Sequence, residues 1–276
     1  MIEFAHTFLL VFGQIAVGGI FALSIPPFHE IERGFFKSTA GIYLGCGLTI
    51  FLGKGYLVLF IRPETLLSWK GVEAFSWLAF SAFCGLYVYT LWGDPFVLRA
   101  RAYLLSLISG VTALSISASN YRLTPFASIE TFLYPLSFTT SALLLGAVAT
   151  GMLLGHWYLI DLGLSIEPFK RIFKFYFGTL VVHLIVLLLA AFLLLAAGGE
   201  PTVSGLSRLW GMHTALLWLR LMVGPLVSLP LAYMIWRTLQ IPQTMAATGL
   251  FYIAILAAVV GEFLGRFILF RTSLPL

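Results

Sequence analysis

The sequence predicts an all-α fold: a polytopic integral membrane bundle of eight transmembrane helices, forming one domain over residues 1–276. Three observations carry this. The 276-residue chain is 60% hydrophobic and only 10% charged, with a mean hydropathy of +1.00, too little charge for a surface that faces water. Eight apolar runs, at 7–25, 38–61, 74–93, 98–118, 131–158, 175–198, 207–236 and 247–270, each reach the roughly 20 residues that cross a hydrocarbon core of about 30 Å. The runs also lack the alternation of a barrel strand. LVVHLIVLLLAAFLLLAAG is apolar almost throughout, so helices satisfy its backbone.

The first run follows MIEFAHTF, which has no basic segment of a cleavable signal, and is read as a span. It carries Gln14 and the small-residue patch VGGIFAL. With YLGCGL of the second run, that patch predicts close helix contacts. The second run holds Cys46 and Lys54, and the third holds Cys84. The two cysteines form no metal or redox spacing and read as small apolar packers. The fourth run carries no charge beyond its first turn. The fifth ends in GHWYLID, where Trp157 and Tyr158 mark an interface and His156 lies within reach of Asp161. Ahead of the sixth, Lys170, Arg171 and Lys174 alternate with Phe169, Ile172, Phe173 and Phe175, which predicts a short amphipathic collar. The sixth run contains His183. The seventh contains His213, Arg220, Gly224-Pro225 and Pro230. The eighth closes with GEFLGRFILF, where Glu262 and Arg266 stand one turn apart on one face.

An even number of spans puts both termini on one side. The opposite side would carry Arg33, Lys37, Arg99, Arg101, Lys170, Arg171, Lys174 and Arg237, against Arg62, Lys70, Arg122, Arg208 and Arg271 on the terminal side. The basic excess predicts cytoplasmic loops on the first side and periplasmic termini. The pI of about 9.3 restates this bias and contact with anionic lipid rather than a nucleic-acid surface.

Polar groups inside a span are costly and mark function by default. Counted along each run, Gln14, Lys54, His213 and Glu262 fall roughly 9–12 Å below the terminal-side boundary. Arg266 lies one turn from Glu262, and Lys54 is its expected partner across the bundle. A register-fixing salt bridge explains such a layer. So does a pocket for a quinol, which needs a proton acceptor of tunable pKa and donors to its ring oxygens. In that reading Glu262 and His213 take protons, and Gln14, Lys54, Arg266 and Arg62 hold the ring and the carboxylate. Arg220 has no evident acidic partner. A bis-histidine haem fits less well, because His156, His183 and His213 differ in depth by about 9 Å from one to the next.

Residues 8–22, FLLVFGQIAVGGIFA, resemble the first helix of the membrane anchor subunit of the dimethyl sulfoxide reductase family, in which an F-G-Q motif precedes a small-residue patch. GEFLGRFILF is similar to that family's last helix. The likeness is specific at the two ends; the length, eight spans and outside termini agree too, and the middle agrees only in hydropathy. It implies a divergent, polysulfide-reductase-like anchor in the bacterial inner membrane that oxidises menaquinol or ubiquinol. It also implies an iron–sulfur partner subunit and a molybdopterin catalytic subunit. The family expects a quinol-site histidine just after the second helix, and GYLVLFIRPETLL has none; Arg62 and Glu64 lie there instead. The expected function is therefore a quinol-binding membrane anchor of a respiratory oxidoreductase complex. The alternatives are a transporter or non-redox assembly subunit, which the Gly224-Pro225 break suggests, and a haem b cytochrome.

Overall fold

The computed structural model describes residues 2–124, 128–161 and 163–275. The helices are α1 (Ile2–Ala22), α2 (Arg33–Tyr56), α3 (Trp69–Thr90), α4 (Phe96–Ser119), α5 (Glu130–Trp157), α6 (Glu167–Ala197), α7 (Glu200–Met212), α8 (Thr214–Leu221), α9 (Val227–Gln240) and α10 (Thr244–Thr272). A π-helical turn, Leu57–Ile61, prolongs α2. A second, Met222–Leu226, joins α8 to α9. Among the described residues no strand occurs, and eight helical segments are long and apolar enough to cross a membrane.

Two expected boundaries move, each for a physical reason. The collar before the sixth span is not a separate element: α6 starts at Glu167-Pro168 and runs for 31 residues, about 46 Å. Phe169, Ile172 and Phe173 are buried there, so apolar packing carries the helix through its basic residues. The seventh span is Thr214–Gln240, not 207–236. Residues 200–212 form the separate α7, which buries Thr202, Gly205, Leu206 and Leu209 on one face and leaves Val203, Trp210 and Met212 exposed. A helix of 13 residues with that polarity is too short to span.

The spans form two four-helix rings. In the first, α1, α2, α3 and α4 pack in sequence and α4 returns to α1. In the second, α5 packs on α6, α9 on α10 and α10 on α5, with a thin seam between α6 and α9. The rings join chiefly through α1 on α5. That joint depends on glycine: a Cβ at Gly18 would overlap the backbone of Ala142, and one at Gly146 the backbone of Gly18. Gly19 meets the Tyr43 ring and Gly47 the Phe80 ring, as the small-residue patches predict; Gly45, by contrast, faces open space. Both termini lie at one end of the bundle, here called the terminal end, where His6 stacks on Phe270 with 5.7 Å between ring centroids.

Candidate functional site

Two polar places lie within the spans. The first is a knot of side chains around Glu262, where α1, α5, α6, α8 and α10 meet. Glu262 Oε1 accepts from His183 Nε2 at 2.9 Å and from an Arg220 guanidinium nitrogen at 3.2 Å. Its Oε2 accepts from the Ser141 hydroxyl and, at 3.3 Å, from Arg266. Arg266 Nε donates to Gln14 Oε1 at 3.2 Å, and Gln14 Nε2 donates to the Phe138 carbonyl at 3.1 Å. The Arg266 guanidinium lies 4.0 Å from the centroid of the Phe138 ring, whose negative face suits a cation. His183 Nε2 faces a carboxylate and so carries a proton, and its Nδ1 meets Thr140 Oγ1 at 3.2 Å.

Arg220 finds its partners here. It also donates to the Gly261 carbonyl. The GEFLGR motif is explained by the same contacts. A Cβ at Gly265 would overlap the Arg220 guanidinium, and one at Gly261 would crowd Gly224 in the π-helical turn. Glu262, Arg266, Arg220, His183 and Gln14 are all buried. The adjoining cavity has a volume of about 20 Å³, enough for about one water and not for a ring.

The second place is a cavity of about 300 Å³ at the terminal end, near the lower limit for a ligand pocket. Lys54 and Glu73 lie at its buried side, 2.8 Å apart and both under 6% exposed. Glu73 Oε1 also accepts from the Ser117 hydroxyl at 2.7 Å, which in turn accepts from Trp77 Nε1 at 3.1 Å. Among the described residues its Oε2 has one partner, Asn120 Nδ2, at 2.9 Å. Leu57, Val58 and Ile61 of the π-helical turn form an apolar side, and Arg62 and Lys70 stand exposed beside them. His6, Thr65, Tyr121 and Phe270 complete the lining. His6 Nδ1 is buried and has no hydrogen-bond partner among the described residues. Tyr121 separates the two places, with its ring centroid 5.1 Å from Phe270 and 6.4 Å from Phe138. Burial, with Glu73 adding and Arg266 opposing, holds its phenol well above the usual range, so it stays neutral.

The single polar layer expected from depth is thus divided. Gln14, Glu262 and Arg266 belong to the knot, while Lys54 and Arg62 line the cavity. Lys54 does not pair with Glu262. Depth fixes height but not rotation, and Lys54 faces α3 and Glu73. His213 is not six residues inside a span: it is the joint between α7 and α8, partly exposed, and lines neither place. His183, which the depth count set about 9 Å from the layer of Glu262, lies against it, because the earlier start of α6 puts it at mid-helix. His156 meets Tyr252 rather than Asp161, which binds the Gly163 amide.

Sequence reasoning missed Glu73 and His6. Glu73 sat just outside a hydropathy-defined span, yet it starts a buried stripe with Trp77, Phe80 and Cys84 at helical spacing, and that signal was available. His6 stands in the first turns of α1, where the sequence holds no sign of what it faces. No family model matches the chain, and no curated protein matches it.

Proposed function

We propose that the chain is the quinol-binding membrane anchor of a respiratory oxidoreductase, with the quinol ring held in the Lys54–Glu73 cavity. The observation that carries this reading is the convergence of two possible proton acceptors, Glu73 Oε2 and the unpartnered His6 Nδ1, with cationic donors and aromatic walls in one opening. A quinol ring needs that donor set, and its oxidation releases two protons and two electrons. Lys54, Asn120 and Arg62 would hold the ring oxygens, and Glu73 and His6 would take the protons. The electrons would leave to an iron–sulfur partner subunit that feeds a molybdopterin subunit, as the resemblance implies. His6 would supply, from α1, the imidazole that the family carries after its second helix. In this reading menaquinol or ubiquinol is the ligand and the terminal end is periplasmic in a bacterial inner membrane. The loop charge bias supports that orientation.

Three measurements test it together. The full complex, purified in mild detergent, should contain iron–sulfur and molybdenum subunits, and a quinol-analogue inhibitor should bind the chain and be lost in Glu73→Gln. A reporter fused after Leu276 should be active as periplasmic alkaline phosphatase. Absence of redox partners, with no analogue binding, would remove the reading.

A transporter remains the second reading, since α8 and α9 form a span broken at Gly224-Pro225 beside buried charge. The small volume at that break favours the first.

A further inference from the structure

The cleft along the α6–α9 seam has a volume of about 470 Å³ and lies at the end of the bundle opposite the termini. We propose that it binds one anionic phospholipid, with the phosphate at Lys170 and Lys174 and an acyl chain along Phe177, Tyr233 and Leu229. The argument rests on how polarity is graded along the two helices. On α6 the lysines stand one turn apart on one face, close to the helix start, with Phe173 between them and Phe177 deeper in the span. On α9, which runs the other way, Gln240 ends the helix, and Trp236, Tyr233 and Leu229 follow towards the bilayer centre. From Lys170 to Phe177 the descent is about 10 Å, and from Gln240 to Leu229 about 16 Å. Both walls therefore carry their cationic or amide groups at the helix ends and aromatic ones deeper, and on α9 the apolar lining continues to Leu229. That is the order of phosphate, interface and chain in a lipid. Trp236 and Tyr233, with ring centroids 5.9 Å apart, occupy the level where amphipathic rings favour the interface.

Charge selects the lipid. Lys170 already pairs with Glu167 at 3.1 Å, while Lys174 is exposed and makes no ion pair to a described residue. Lys170, Lys174 and Glu167 leave the rim one positive charge in excess, which a phosphodiester with an uncharged headgroup balances. A zwitterionic lipid brings its own ammonium into the same rim, and a quinol brings no charge. Basic pockets between spans are the general form of such sites. The inference is independent of the quinol reading, because the Lys54–Glu73 cavity lies at the other end of the bundle.

The test uses the full chain, delipidated in mild detergent and titrated with phosphatidylglycerol or phosphatidylcholine carrying bromine on the acyl chains. The Trp236 component of the fluorescence, defined by Trp236→Phe, reports occupancy. Phosphatidylglycerol should quench it at a concentration about 30-fold lower than phosphatidylcholine, roughly fivefold for each lysine. The double substitution Lys170→Gln/Lys174→Gln should abolish that ratio. Lys174→Gln alone, at an exposed residue, should lower it about fivefold and serves if the double variant is unstable. Millimolar inorganic phosphate should not compete, since it lacks the chains. Equal quenching by the two lipids, a preference that survives the substitutions, or displacement by a neutral quinol or by phosphate alone would overturn the proposal.

Discussion

Glu73 and Glu262 are both buried carboxylates inside spans, and both are paired with cations, yet their surroundings differ in kind. Glu262 has two partners on each oxygen, drawn from four helices, and beside it is room for about one water. Glu73 has a single partner on Oε2, Asn120, and looks into a cavity of about 300 Å³. A fully satisfied buried ion network fixes how helices meet; removing one member leaves charge without compensation. A carboxylate with spare acceptor capacity beside an opening can take a proton from a guest. The difference teaches that a charge in a membrane helix is informative only together with the space next to it.

The comparison breaks most readily at the knot. Arg220→Ala should cost about 3–5 kcal/mol, seen as loss of folded, monodisperse protein, because it strips Glu262 of a cation and Gly261 of a donor. Normal yield and unfolding temperature for that variant would show that the knot does not hold the bundle. Next comes Glu73→Gln. It keeps the shape but cannot accept a proton and leaves Lys54 without its carboxylate, so yield should fall and quinol oxidation per assembled complex should fall about 100-fold or more. Gly265→Ala should cost about 1–3 kcal/mol through collision with the Arg220 guanidinium, measured by thermal unfolding in detergent. His6→Ala should slow turnover less than Glu73→Gln does, with little change in stability, since no partner of Nδ1 is lost. His213→Ala should change stability by no more than about 0.5 kcal/mol and leave turnover intact; an impaired His213→Ala would return that residue to the site.

The architecture was legible because it follows from hydropathy and length, which act locally along the chain. The Glu262–Arg266 pair was legible for the same reason, as i and i+4 on one helix are neighbours. The Gly18–Gly146 joint was half legible: the patch around Gly18 announced a close approach but not its partner. What the sequence withheld was rotation. Lys54 and Glu262 were placed at one depth, and whether they meet depends on which neighbour each helix face addresses, a property of the assembled rings. Arg220 lacked a partner on paper because its own span was begun at 207 rather than Thr214, which set it deeper than Glu262 on the neighbouring helix. The misplacement of His183 and His213 had one cause. Hydropathy merges an amphipathic helix such as α7 with the span after it, and splits a basic first turn such as that of α6 from the span it begins.

The most direct test compares Glu73→Gln with Glu262→Gln in the same complex, with quinol oxidation and assembled yield measured side by side. For Glu73→Gln the account predicts reduced yield, because Lys54 loses its carboxylate, and lost turnover in each complex that assembles. For Glu262→Gln it predicts reduced yield, but normal turnover for each complex that assembles. Full turnover in Glu73→Gln, with turnover lost in a well-assembled Glu262→Gln, would contradict it and place the chemistry in the knot.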